Sequence, residues 1–312
     1  MMQLGQYPAP TLVIAHFSDP HFRGDDDGMF GVIDTRANLV AALDHLERSG
    51  SAPKAIVFTG DLADLGEPGA YRRLRASVEP VANRMGTRLI WVMGNHDERA
   101  AFRRELLDES EPVETEPAPH DRVYDIDGLR IVVIDTTVPG YHHGELSDAQ
   151  LDWLAGVLAS PAPLGTLLAM HHPPIPTTVE VMAILELQRQ DRLAAVVAGT
   201  DVRGILAGHL HYSTHGMFAG IPVSVAAASC YTIDVATPST ALSGVSGGQS
   251  FSLVSVYDDQ IVHSTVPVGD FTAVTGFTDA FLENLSRMSP HDRLEAFSSK
   301  RSPYTVADIE AL

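Results

Sequence analysis

Residues 55–61 read Ala-Ile-Val-Phe-Thr-Gly-Asp. An unbroken apolar and β-branched run of this length reads as a strand buried on both faces. The glycine that follows permits a close backbone turn and the aspartate is delivered at the strand's end. The same pattern recurs along the chain. Leu12–Phe17 precedes Asp19-Pro20-His21, and Leu89–Met93 precedes Gly94-Asn95-His96-Asp97. Thr166–Met170 precedes His171-His172, Val202–Leu206 precedes Gly208-His209-Leu210-His211, and Ile131–Ile134 is one further run. Helix-period segments at Thr35–Arg48 and Glu67–Met85 separate the first three runs. This β-α-β-α-β rhythm predicts right-handed crossovers and a mostly parallel sheet.

The second half has a different character. Arg122–Ile126 and Arg130–Asp135 flank Asp127-Gly128, and Phe251–Tyr257 and Gln260–Val266 flank Asp258-Asp259. Both read as antiparallel hairpins. The expected fold class is therefore α/β, or α+β, with mixed sheets and helices outside them. No repeat or heptad is present to indicate a solenoid or coiled coil. The Ser- and Gly-rich stretch Thr240–Ser250 reads as an excursion between strands of one domain. Residues 1–267 form the expected catalytic domain, and Val268–Leu312, short in pattern, polar and weakly helical, the expected C-terminal extension.

With 40 acidic residues against 21 basic ones, the formal charge is −19. A surface of that sign repels duplex nucleic acid and leaves a small phosphorylated substrate as the better fit. An anionic protein that binds phosphate needs concentrated positive charge, which metal ions supply without added Lys or Arg. Cys230 is the only cysteine, which excludes an internal disulfide framework and a thiolate zinc cluster, so a metal would rest on His and carboxylate groups. Residues 1–10 lack the pattern of a signal peptide, and no apolar run approaches the roughly 18 residues of a membrane span, so a cytoplasmic protein is expected.

The chemistry converges at the strand ends. In parallel α/β sheets the C-terminal ends of the strands open onto one crevice, so five separate segments can deliver Asp19, His21, Asp61, Asn95, His171, His209 and His211 to one place. Imidazole, carboxylate and amide oxygen suit hard or borderline divalent ions. Seven groups are too many for one tetrahedral zinc but suit two ions that share a carboxylate. Such a pair, about 3.5–4 Å apart, clamps the attacking and leaving sides of a phosphoryl centre. Gly60, Gly94 and Gly208 stand where close approach or positive φ is expected, and His209 and His211, two apart, share a face if their segment is extended.

This ordered set, D-x-H, G-D, G-N-H-D, H and G-H-x-H, resembles the calcineurin-like metallophosphoesterases. Within them the surrounding segments, from about Leu12 to about Val266, are similar to the bacterial class III cyclic-nucleotide phosphodiesterases of mycobacterial type. The resemblance implies a four-layer αββα sandwich and a binuclear centre of iron and manganese, or of manganese or zinc. It implies Asp19, His21, Asp61 and His211 at one metal and Asp61, Asn95, His171 and His209 at the other, with Asp61 bridging. It also implies His96 as the histidine that protonates or stabilises the leaving oxygen, His142 beside the bound phosphate, and a homodimer. The reaction it implies is attack of a metal-bridging hydroxide on 3′,5′-cyclic AMP, with 2′,3′-cyclic nucleotides as side substrates. Asp64 stands where purple acid phosphatases carry a metal-binding tyrosine, which disfavours that branch.

Each motif also has a plain structural reading. Asn95 and Asp97 suit a helix N-cap, and Gly60-Asp61 alone is an ordinary loop. All five motifs in this order outweigh those readings. His171 and His172 are adjacent, so on an extended segment only one faces the site; the resemblance selects His171, with Pro173-Pro174 fixing the turn after it. Asp25-Asp26-Asp27 reads as a solvated charge run. His16, His45, His120, His215, His263 and His291 read as structural or surface residues, and Cys230 as a small buried one. Asp135 reads as a turn cap, the alternative being a hydrogen bond to a metal-binding histidine. Ligand spacing does not separate a cyclic nucleotide from a glycerophosphodiester, which is the rival within the same chemistry. A non-catalytic binding protein is disfavoured because every ligand and His96 are present. A membrane tether in Val268–Leu312 is disfavoured because that segment lacks a basic amphipathic face.

Overall fold

The structure, a computed structural model, describes residues 3–25, 27–109, 118–238 and 242–311. Asp26 of the acidic run, and Thr240 with Ala241 of the Ser- and Gly-rich stretch, lie outside the described residues. The chain divides into two compact units, Thr11–Gly269 and a smaller one in which Met1–Pro10 joins Asp270–Leu312.

The larger unit begins β1 (Leu12–Phe17), α1 (Thr35–Arg48), β2 (Ala55–Thr59), α2 (Pro68–Met85), β3 (Arg88–Val92) and α3 (Arg99–Leu106). It continues with β4 (Arg122–Ile126), β5 (Leu129–Val133), α4 (Asp148–Leu158), β6 (Thr166–Ala169), α5 (Gln190–Val197) and β7 (Val202–Ala207). The strands β8 (Thr214–Phe218), β9 (Ile221–Val225), β10 (Thr232–Ile233), β11 (Gly244–Val245), β12 (Ser250–Val256) and β13 (Ile261–Pro267) complete it. Local chemistry sets several boundaries. Asp34 accepts the Ala37 N–H at the start of α1, Pro68 opens α2, and Ser147 with Gln150 forms a capping box on α4.

Two mixed sheets result, with strand orders β13-β12-β1-β2-β3 and β4-β5-β6-β7-β9-β8. In the first, β1, β2 and β3 run parallel and β12 returns antiparallel to β1. In the second, β5, β6, β7 and β9 run parallel while β4 and β8 close the edges antiparallel.

Successive residues of a strand point to opposite faces, and in the central strands of both sheets both faces are apolar. Ala15, Phe17, Ile56, Phe58 and Trp91 pack with Leu39, Leu43 and Leu74 of α1 and α2 on one outer side. Leu12, Ile14, Val57, Ile90 and Val92 point the other way, onto Ile131, Val133, Leu167, Ala169 and Leu206 of the second sheet. Val132, Leu168 and Ile205 then meet Leu154 of α4 and Leu193 of α5. Each fully buried aliphatic side chain contributes about 1.5–3 kcal/mol, so the dry middle layer holds the sheets face to face. The layers are helix, sheet, sheet, helix. The ends of β1, β2, β3, β6 and β7 each run directly into one of the five motifs.

The smaller unit carries α6 (Asp279–Arg287), α7 (Pro290–Arg293) and α8 (Val306–Glu310). Its core is Phe281, Leu285, Ala296 and Ile309, with Met288 packed against them. Among the described residues no helix is long and apolar enough to cross a membrane.

Candidate metal centre

The loop after β2 is the centre of the site. Gly60 adopts φ 95°, and a Cβ there would collide with the ring of His171 and stand 2.8 Å from the Gly94 Cα. Only glycine lets three strand-end loops meet. Gly94 and Gly208 serve by close approach alone, since a Cβ on Gly94 would strike Asp61 and one on Gly208 would strike Ser18.

Asp19, His21, Asp61, His209 and His211 all have positive φ, between 43° and 70°. Left-handed backbone at five non-glycine residues is costly and persists only where the surroundings over-determine it, which is the habit of functional sites. It also corrects the expectation for His209 and His211. Their segment is not extended; the left-handed residues on either side of Leu210 bring both rings into the cluster by a turn and not by the shared face of a strand.

The imidazole tautomers follow from their partners. His21 Nδ1 faces a carboxylate oxygen of Asp64 at 3.2 Å, and His211 Nδ1 faces the Tyr231 carbonyl at 3.2 Å, so both Nδ1 atoms carry hydrogen. Their Nε2 lone pairs then confront each other at 3.2 Å. Asp61 Oδ2 lies 3.4 Å from His21 Nε2, and Asp19 Oδ1 lies 3.5 Å from His211 Nε2. On the other side, His171 Nδ1 donates to the Thr59 carbonyl at 2.7 Å. Its Nε2 faces Asn95 Oδ1 at 3.0 Å, His209 Nδ1 at 3.2 Å and Asp61 Oδ2 at 3.4 Å.

Two groups of buried acceptor atoms thus converge with Asp61 Oδ2 between them. Such groups repel unless positive charge lies among them. Atoms bonded to one ion at about 2.0–2.2 Å sit about 3–3.5 Å apart, which matches these distances. The donor set therefore fits two cations with a shared carboxylate.

Ionisation points the same way. Burial alone would keep His21 and His171 neutral, but the Asp61 and Asp64 carboxylates hold His21 at about 10, and Asp61 and Asp19 hold His171 at about 9. With no cation among these groups the second proton of each ring lies on Nε2, so a positive charge is favoured on each side of Asp61 where an ion would otherwise supply it. The buried Asp61 carboxyl is held well below the usual range by those two histidines. Burial, with the neighbouring positive rings, pushes His209 well down and His211 to about 3.

His171 and His172 do not point in opposite directions, because the chain leaves the extended conformation after β6. A nitrogen of His172 comes within ligand distance of His171 and His209. Both of its nitrogens are engaged, however, by Thr136 Oγ1 at 2.8 Å and the His142 carbonyl at 3.1 Å, and burial lowers it to about 3. His172 therefore braces the site and supports His142.

Around the ligands stand His96 and His142. The His96 N–H donates to Asp61 Oδ1 at 2.9 Å, and His96 Nδ1 donates to the Asp64 carbonyl at 2.8 Å. Asn95 Nδ2 donates to His142 Nδ1 at 2.9 Å, so Asn95 turns its oxygen to the ligand cluster and its nitrogen to His142. The rings of His96 and His142 are 5.0 Å apart.

Two carboxylates outside the expected ligand set are central here, and Asp97, read as suited to a helix N-cap, does not cap α3, whose N-cap is Glu98. Asp64, singled out only for differing from a tyrosine, orients His21 and pairs with Arg23 at 3.2 Å. Asp97 accepts the Leu62, Ala63 and Gly94 N–H groups and the Tyr71 hydroxyl at 2.8–3.1 Å. It pins the loops carrying Asp61 and Asn95 against α2. Its spacing within Gly-Asn-His-Asp was the available signal. Asp135 caps its turn through Thr137 and meets Arg99 and the His120 N–H, with no bond to a histidine ring. Asp25 pairs with Arg23 at 3.2 Å.

The Calcineurin-like phosphoesterase family model matches residues 12–213, a span that contains all seven candidate ligands. The chain belongs to the calcineurin-like phosphoesterase family. It is 52% identical over 276 residues to the cAMP/cGMP dual specificity phosphodiesterase of Mycobacterium tuberculosis, covering 88% of this chain and 86% of that protein. It is 48% identical to a probable cyclic nucleotide phosphodiesterase of Rhodococcus erythropolis, covering 88% of this chain and 90% of that one. Among solved structures, a dimetal phosphatase from Danio rerio superposes with a TM-score of 0.59 at 16% identity over 84% of this chain and 98% of its own. That likeness concerns the fold. Membership in the family makes the chain a phosphoesterase by descent and accounts for the two-cation donor set.

Proposed function

We propose that this member of the family hydrolyses 3′,5′-cyclic AMP, and with it 2′,3′-cyclic nucleotides, to nucleoside monophosphate. The observation that carries the chemistry is the pair of acceptor clusters meeting at Asp61 Oδ2, with Asn95, His96 and His142 beside them. The substrate rests on 52% identity, over most of the chain, to a cAMP/cGMP phosphodiesterase.

In this reading Asp19, His21, Asp61 and His211 hold one ion, and Asp61, Asn95, His171 and His209 the other. Ions held there would polarise the phosphoryl oxygens and lower the pKa of a water so that hydroxide is available near neutral pH. Asn95 fixes the orientation of the phosphate and, through its amide nitrogen, of His142. With Nδ1 committed to the Asp64 carbonyl, His96 offers Nε2 to pass a proton to the departing ribose oxygen as the new phosphorus–oxygen bond forms. His142, accepting at Nδ1, presents an Nε2–H that can donate to the phosphate. Iron with manganese, or manganese or zinc, suits donors that are nitrogen and oxygen only. We further assign catalysis to residues 1–267 with 268–312 as an extension, and we place the protein in the cytoplasm as a homodimer; cell fractionation and light scattering test these two points.

The test is a panel of 3′,5′-cyclic AMP, 2′,3′-cyclic AMP, glycerophosphodiesters and a phosphomonoester, with manganese added and after chelation, beside Asn95→Ala. Metal-dependent cyclic-nucleotide hydrolysis that collapses in the variant is the expected result. Preference for glycerophosphodiesters or monoesters would overturn the substrate and leave the centre standing.

A further inference from the structure

Phe30 occupies a position that local physics reserves for other residues. The Val32 N–H donates to the Met29 carbonyl at 3.2 Å, and Met29 and Ile33 exchange both backbone bonds at 2.8 and 3.0 Å. The two central residues of this tight turn, Phe30 and Gly31, have φ 53° and 73°. That is the type I′ pattern, whose first central position favours Asn, Asp or Gly. A bulky aromatic residue there is strained, and Phe30 is 75% exposed, so burial does not compensate.

The ring does have one aromatic neighbour. Phe30 stands edge-on to Tyr231, with centroids 5.5 Å apart and planes at 75°. Tyr231 in turn lies 4.6 Å from the ring of His211, and its carbonyl accepts from His211 Nδ1. A Cβ on Gly244 would come within 3.0 Å of the Tyr231 ring, so the phenol is braced from that side. Phe30 is thus two ring contacts from a metal ligand, held outward at a cost in backbone strain.

We propose that Phe30 and Tyr231 form the wall on which the nucleobase of the substrate stacks while its phosphate lies at the metal ligands. The inference rests on the cyclic-nucleotide reading and extends it from the phosphate to the base. Stacking uses the π-face that every base has, so this wall accepts adenine and guanine alike. It acts on binding and leaves the chemical step to the ligands, His96 and His142.

The test uses Phe30→Asn, because asparagine suits the left-handed turn and the variant folds at least as stably as the parent. On the full-length manganese-loaded protein, KM for 3′,5′-cyclic AMP is expected to rise about 5- to 30-fold with kcat little changed. Calorimetry should show the same weakening for AMP and none for ribose 5-phosphate, and Phe30→Tyr should restore both values. A wild-type KM and AMP affinity in Phe30→Asn would overturn the proposal, as would equal weakening for ribose 5-phosphate. A wild-type protein that turns over no cyclic nucleotide would overturn the parent reading, and if it also bound AMP no better than ribose 5-phosphate, the wall would fall with it.

Discussion

Replacing Asp97 by alanine should both loosen the fold and disarm the site. The Asp97 carboxylate is buried and accepts four hydrogen bonds, from Leu62, Ala63, Gly94 and the Tyr71 hydroxyl. Three of those donors are backbone groups in the loops that carry Asp61 and Asn95. Each buried donor left without a partner costs about 1–3 kcal/mol, so the four together, at about 2 kcal/mol each, are worth about 8 kcal/mol. Against this, burial and then the Asp61 charge push the Asp97 carboxyl up to about 6. The ionised form still predominates at neutral pH but is held there at a cost, and its removal returns roughly 3 kcal/mol. The net expected loss is about 5 kcal/mol, a large part of the 5–15 kcal/mol that holds a typical domain together. Urea unfolding of the chelated protein followed by circular dichroism measures it. Asp97→Asn, which keeps one acceptor oxygen but turns an amide nitrogen toward the remaining donors, should lose at least half as much. A loss below about 1 kcal/mol in Asp97→Ala would refute the claim that this carboxylate pins the loops.

Asp64→Asn removes the charge behind His21 Nδ1 while preserving shape; metal affinity at the site is expected to fall about 10- to 100-fold, read by competition with a chromogenic chelator. Gly208→Ala should abolish turnover, because the added Cβ collides with Ser18 Oγ and stands 2.7 Å from Asp19 Oδ2; near-wild-type kcat/KM in this variant would contradict the packing described for Asp19.

Much of this architecture is legible in the sequence because the central strands are buried on both faces. Runs such as Ala55–Thr59 cannot be surface segments, and an Asp, Asn or His just after five of the runs, preceded by glycine at Asp61, Asn95 and His209, marks the strand ends that face one crevice. The less legible parts share a physical reason. Strands β8 and β9 contain His215, Gly216 and Pro222, which break the alternation on which a strand reading depends. Helices α3 and α5 have eight residues each, too short for a 3.6-residue period to stand out. Met1–Pro10 joins Asp270–Leu312 through contacts between opposite ends of the chain, which no local pattern encodes. The residues that the fold brings together at the strand ends were readable, but the left-handed backbone at Asp19, His21, Asp61, His209 and His211 was not, since positive φ at non-glycine residues is imposed by the assembled surroundings. The roles of Asp64 and Asp97 likewise depend on which donors the fold brings to them.

The most direct test of the two-cation account is a titration of the chelated protein with manganese, following 3′,5′-cyclic AMP hydrolysis and bound metal by elemental analysis in the same samples. Activity should rise with metal and reach its plateau at two ions per chain, with Asn95→Ala binding less and turning over far more slowly. Full activity with a single ion per chain, or activity indifferent to chelation, would contradict it.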